Sequence, residues 1–69
     1  MNTFGQKLKE LRKEKGLSQK ALAEQLGCNQ SMICFWERGV NEPTESAIRK
    51  TALFFEVSAD YLLGLTDEY

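Results

Sequence analysis

Apolar residues in this chain recur every three or four positions and are interrupted at short intervals by glycine, a spacing that predicts helices rather than strands. Phe4, Leu8 and Leu11 share one face of a first helix predicted from about Thr3 to Lys15. Gly16 supplies the left-handed residue that commonly ends a helix. Ser18 can cap a second helix, from about Gln19 to Leu26, with Leu22, Ala23 and Leu26 on its inner stripe. Beyond Gly27, Asn29 suits the start of a third helix over roughly Gln30 to Arg38, with Ile33 and Trp36 inward. Gly39 ends it, and Val40-Asn41-Glu42-Pro43 reads as a loop. Thr44 caps a fourth helix to about Glu56, with Ile48, Ala52 and Phe55 at the helical spacing of one face; Ser58 caps a short fifth, from Ala59 to Leu63. Gly5, Gly16, Gly27, Gly39, Pro43 and Gly64 all read as punctuation between these pieces. β-branched residues are sparse and no run alternates over strand length. The expected fold class is all-α.

Helices two and three are separated only by Gly27-Cys28-Asn29, so they must cross steeply. Such a crossing needs a small residue at the contact, which Ala23 provides, and tolerance of positive φ at the turn, which Gly27 provides. Ile33 and Trp36 then point back from the third helix. This is the logic of a helix-turn-helix, whose second helix can enter the major groove of DNA.

Composition narrows the function. A chain of 69 residues without histidine has little room for a lidded pocket and lacks the commonest general base and metal ligand, so catalysis, metal and cofactor are not expected. No apolar run approaches the roughly 20 residues of a membrane span. Met1-Asn2-Thr3-Phe4-Gly5 carries no apolar core of signal-peptide length, and a cytoplasmic location is expected. Cys28 and Cys34 fit neither a metal-finger nor a C-x-x-C spacing and read as reduced thiols. Net charge is only −1, but residues 1–20 carry six cations against two acids and residues 21–69 three cations against eight acids. The basic footprint usual in nucleic-acid binders is therefore only local.

The string Leu17-Ser18-Gln19, Leu22-Ala23, Leu26-Gly27, Ile33, Trp36-Glu37-Arg38-Gly39, Pro43, Val57-Ser58 and Leu62-Leu63 resembles, in order and spacing, the phage lambda and Cro-type repressor helix-turn-helix family. The resemblance spans roughly residues 5–64. It implies one compact five-helix, lambda-repressor-like domain over residues 1–69, with a short polar tail, that binds double-stranded operator DNA as a homodimer. Carried over from the family, the base-reading positions are Asn29, Gln30, Ser31, Cys34 and Phe35. Gln30 can pair bidentately with adenine, and the Phe35 ring can pack on thymine methyls or, alternatively, on a partner protein. Gln19 matches a phosphate contact at a helix start, its alternative being a solvated residue. Lys20, Arg38, Asn41 and Thr44 are further phosphate candidates, with helix capping the competing role for Thr44. Glu37 is expected to pair with Arg12 as scaffold. Cys28 is expected in the core; Cys34 is either an incidental outer-face residue, a redox sensor or a DNA contact.

The chain departs from the family in its Val40-Asn41-Glu42 loop, where family members often carry Lys or Arg. Few cations near the groove imply modest affinity per subunit. Phe54, Tyr61, Leu65 and Tyr69 are the expected dimer contacts, with Phe54 outward. Repression is the default expectation, because occluding polymerase requires nothing beyond binding. The competing reading is a protein-interaction module on the same scaffold, an antitoxin-like or antirepressor-binding partner, suggested by the acidic balance and Phe35.

Overall fold

The computed structural model describes residues 3–69; Met1 and Asn2, part of the amino-terminal stretch read for a signal peptide, lie outside the described residues. In chain order the elements are α1 (Thr3–Glu14), α2 (Gln19–Leu26), α3 (Gln30–Glu37), α4 (Glu45–Phe55) and α5 (Ala59–Leu62), with no strand among the described residues.

Four of the five helices start by one device. Ser18, Asn29, Thr44 and Ser58 sit in extended backbone, and each side-chain oxygen accepts from the N–H three residues on, at 2.9, 3.1, 3.1 and 3.0 Å. That satisfies one of the orphan donors at each helix start, a contribution of about 1 kcal/mol apiece. At the other end of α2, Gly27 adopts φ 72°, and its N–H bonds back to Ala23 O. Glu56 does the same for α4 at φ 58°, a left-handed position held by a residue other than glycine.

The helices close around one apolar cluster: Phe4, Leu8 and Leu11 from α1, Leu22, Ala23 and Leu26 from α2, Ile33 and Trp36 from α3, Ala47 and Phe55 from α4, Tyr61 and Leu62 from α5. α3 packs on both α1 and α2, and α4 on α2 and α5. The α1–α3 approach is unusually close, since a Cβ at Gly5 would lie 1.9 Å from Trp36 O. Gly5 is therefore a residue inside α1 that admits a neighbouring carbonyl, not a break between pieces. The Phe4 and Trp36 rings meet edge to face there, with centroids 5.9 Å apart.

Three inward or outward assignments are corrected. The buried stripe of α4 is Ala47, Thr51 and Phe55, with Ile48 and Ala52 half-buried beside it. Small Ala47 lets α4 approach its neighbours, and fully buried Thr51 is tolerated because its hydroxyl donates to Ala47 O at 2.7 Å. Phe54 does not point freely outward: it is half-buried, edge-on to Phe55 at 4.9 Å, with the Lys15 ammonium 5.5 Å from its ring. Cys28 is half-buried at the edge of the core rather than within it.

Candidate nucleic-acid interface

Arg12 fixes the angle between the two crossed helices. Its guanidinium donates from Nε to Glu37 Oε2 at 2.7 Å, from Nη2 to Glu37 Oε1 at 3.0 Å, and from Nη1 to Leu17 O at 2.9 Å. One side chain of α1 thereby holds both the lead-in to α2 and the end of α3. Gln19 completes the cluster, donating from Nε2 to Glu37 Oε1 at 3.1 Å. The two charged side chains are only 12% and 4% exposed. Hydrogen bonding to Glu37 raises the Arg12 pKa above its already high ordinary value, against the opposing effect of burial. A bidentate pair in such a site strengthens as water is excluded, provided both partners stay.

On that clamp α3 presents a sharply divided surface. Ile33 and Trp36 are buried, while Gln30, Ser31 and Phe35 are exposed and Cys34 is half-buried. At about 100° per residue, positions 30, 31, 34 and 35 fall within one arc of roughly 140°. Asn29 Oδ1 accepts from both the Met32 N–H at 3.1 Å and the Ser31 hydroxyl at 2.9 Å. Asn29 is thus committed as a cap through its oxygen, while the cap makes no use of its amide nitrogen. Ser31 Oγ, having given its hydrogen to Asn29, faces outward as an acceptor suited to an adenine or cytosine amino group.

Apart from Gln19, the expected phosphate contacts are exposed on neighbouring elements. Lys20 lies exposed in the first turn of α2, Arg38 is exposed at the end of α3, Asn41 is exposed in the following loop, and Thr44 is exposed at the start of α4. Thr44 acts as a cap, and Gln19 has one amide hydrogen engaged with Glu37 and a second left over. Neither the Gln19–Glu37 bond nor the Arg12 bond to Leu17 O was part of the sequence expectation. The signal available was stoichiometric: a guanidinium has five donors and one carboxylate uses only two.

Cys28 lines a cleft of about 210 Å³ between the α2–α3 turn and the start of α4, with Leu26, Met32, Ala47 and Lys50 among its walls. Burial raises the pKa of its thiol, partly offset by Lys50. Of the expected dimer contacts, Leu65 and Tyr69 are exposed, but Tyr61 is only 6% exposed. The Lys7 ammonium covers the Tyr61 ring at 4.6 Å, and the Tyr69 ring meets it edge-on at 4.7 Å, leaving little area for a second chain. Leu53 and Leu63 are further exposed apolar residues.

Two short helices crossed at a glycine turn, clamped from a third, with a polar outward arc on the second, define a helix-turn-helix of the Cro/C1 type. The family described as Helix-turn-helix matches residues 8–62, and the chain belongs to it. It is 40% identical over 61 residues to the HTH-type transcriptional activator BcrR of Enterococcus faecalis, covering 88% of this chain and 30% of that protein. It is 36% identical over 62 residues to the HTH-type transcriptional regulator ImmR of Bacillus subtilis, covering 90% of this chain and 49% of that protein. The chain thus spans between about a third and a half of these curated relatives. The P22 c2 repressor, solved in complex with a synthetic operator, superposes with a TM-score of 0.82 at 30% identity, covering 87% of this chain and 91% of the other. No helix among the described residues is long and apolar enough to cross a membrane.

Proposed function

We propose that this chain is a single, cytoplasmic, sequence-specific DNA-binding domain of a transcriptional regulator, acting as a homodimer and repressing by occlusion. The observation that carries the reading is the outward arc of α3, where hydrogen-bonding groups left uncommitted by the fold sit on a helix locked by Arg12 and Glu37. In this reading α3 lies in the major groove, and Gln30 pairs with adenine N6 and N7. Asn29 through its amide nitrogen, Ser31 through its oxygen, Cys34 and Phe35 address neighbouring base edges. Lys20, Arg38, Asn41, Thr44 and the spare Gln19 hydrogen fix register on the phosphates. The activity is binding, with no catalytic step, metal or cofactor. An operator complex of a similarly folded repressor supports the docking mode.

The test is a binding selection from random duplex DNA at about 100 mM salt, followed by titration of the enriched site with wild type and Gln30→Ala. A palindromic consensus is expected, with Gln30→Ala binding it about 5- to 150-fold more weakly, the range of one bidentate pair. If no sequence is enriched, the DNA-reading proposal fails, and the exposed Phe35 favours a protein partner instead.

A further inference from the structure

Between the α2–α3 turn and the first turn of α4 lies the cleft of about 210 Å³, which the DNA reading touches only at Thr44. Leu26, Met32, Trp36 and Ala47 line it with apolar surface, while Thr44, Ser46 and Lys50 bring polar groups to it. No lining residue is acidic, and the Lys50 ammonium forms no ion pair among the described residues. Its charge acts on the Cys28 thiol in the cleft wall, opposing the rise in pKa that burial causes. Helix α4 brings its positive end to the same space through Thr44, Ser46 and Ala47. Trp36, one of the apolar walls, carries a buried indole N–H with no acceptor among the described residues, a donor of the kind that a bound molecule satisfies.

These features suit an occupant that is apolar over most of its surface and anionic at one end. An apolar cavity of about 150 Å³ accepts benzene, so about 210 Å³ leaves room for one ring and a short side chain. We propose that the cleft is a binding site for a small aromatic carboxylate, its ring against Trp36, Met32 and Leu26 and its carboxylate at Lys50 and the start of α4. Such an occupant shares Thr44 with the phosphate contact proposed above. The consequence, which rests on that DNA reading, is that the carboxylate and operator DNA exclude one another. The DNA-binding unit is then itself the sensor of the acid, through competition at α4 and without a change of fold.

The probe is 3-phenylpropionate, titrated against the free chain at constant ionic strength, with the fluorescence of Trp36, the only tryptophan, as the reading. Saturable binding is expected with a Kd of about 0.1–1 mM, a range open to a ligand of this size. Two changes are each expected to weaken it about tenfold: 3-phenylpropionamide, which keeps the ring and loses the charge, and the exposed-site variant Lys50→Gln. The methyl resonances of Met32 and Ala47 are expected to shift along the same isotherm. No saturable change in the millimolar range, equal affinity for the amide, undiminished affinity in Lys50→Gln or shifts centred elsewhere would each overturn the site. These readings involve no DNA, so they decide the cleft whether or not an operator is found. On the enriched duplex, the acid at about ten times its Kd is expected to weaken wild-type binding about tenfold and Lys50→Gln binding about twofold. Cleft binding that leaves operator affinity unchanged would overturn the exclusion. If no duplex is enriched, the DNA reading and the exclusion fall together, and the titration alone judges the site.

Discussion

At the scale of single residues, the Arg12–Glu37 pair concentrates the largest consequences. Both side chains are nearly out of water, so deleting either leaves the other charged and unpartnered. Arg12→Ala and Glu37→Ala are each expected to lose about 3–5 kcal/mol in urea titrations. The double replacement Arg12→Met/Glu37→Met is expected to lose less than either, since no charge is stranded. A double variant weaker than both singles would contradict this account. Cys28 illustrates a quieter effect. Burial favours its neutral thiol, so this contribution to stability is full below the ordinary thiol range and is lost as pH rises through the raised folded value. Near neutral pH its alkylation by iodoacetamide, followed by mass spectrometry, is expected to run several-fold slower in the folded chain than in urea. Equal rates would show that the thiol is not shielded.

At the scale of elements, two glycines that look alike in sequence do unlike work. Gly27 turns the chain at φ 72° with open space where a Cβ would go, so Gly27→Ala carries only the left-handed penalty of roughly 1–2 kcal/mol. Gly5 is buried in α1 with Trp36 O where the Cβ would stand, and Gly5→Ala must push α1 off α3. Thermal melts are expected to show Gly5→Ala as the more damaging, at or beyond the roughly 1–3 kcal/mol of an overpacked core. The reverse order would mean the α1–α3 contact relaxes freely. Helix starts were legible in the sequence because Ser18, Asn29, Thr44 and Ser58 bond only three residues away. The face of α4 was not: Ile48 is the bulkier apolar side chain, yet Ala47, Thr51 and Phe55 form the buried stripe, and Ile48 packs only at its edge. The end of α4 was legible at about Glu56, but not the left-handed conformation that Glu56 itself adopts there, one more usual for glycine.

At the scale of the whole molecule, the distribution of charge sets what DNA binding can look like. With Lys20 and Arg38 the exposed cations proposed on the interface, the slope of log affinity against log salt is expected to be about −1.8 per subunit and about −3.6 for a dimer. A much steeper slope would bring the lysines of α1 onto the backbone as well. The proposed dimer is expected to use exposed Leu53, Leu63 and Leu65 rather than half-buried Phe54 and buried Tyr61. Sedimentation of Leu53→Asp/Leu65→Asp is expected to show a monomer at concentrations where wild type pairs. An unchanged association state in that variant would place the interface elsewhere.

The amino-acid sequence by itself determined five helices, the starting caps of four of them, the crossing of α2 and α3, and the outward arc of α3. All of these follow from interactions reaching no further than a few residues along the chain, where periodicity and capping chemistry operate. It also pointed to the Arg12–Glu37 pair, through the family pattern rather than local spacing. Tertiary structure alone decided the burial of Tyr61, the stripe of α4, the backbone contact at Gly5 and the engagement of Gln19 by Glu37. Each of these depends on which helix lies opposite and how closely, a quantity set by the packing of all five helices together and carried by no local run of residues.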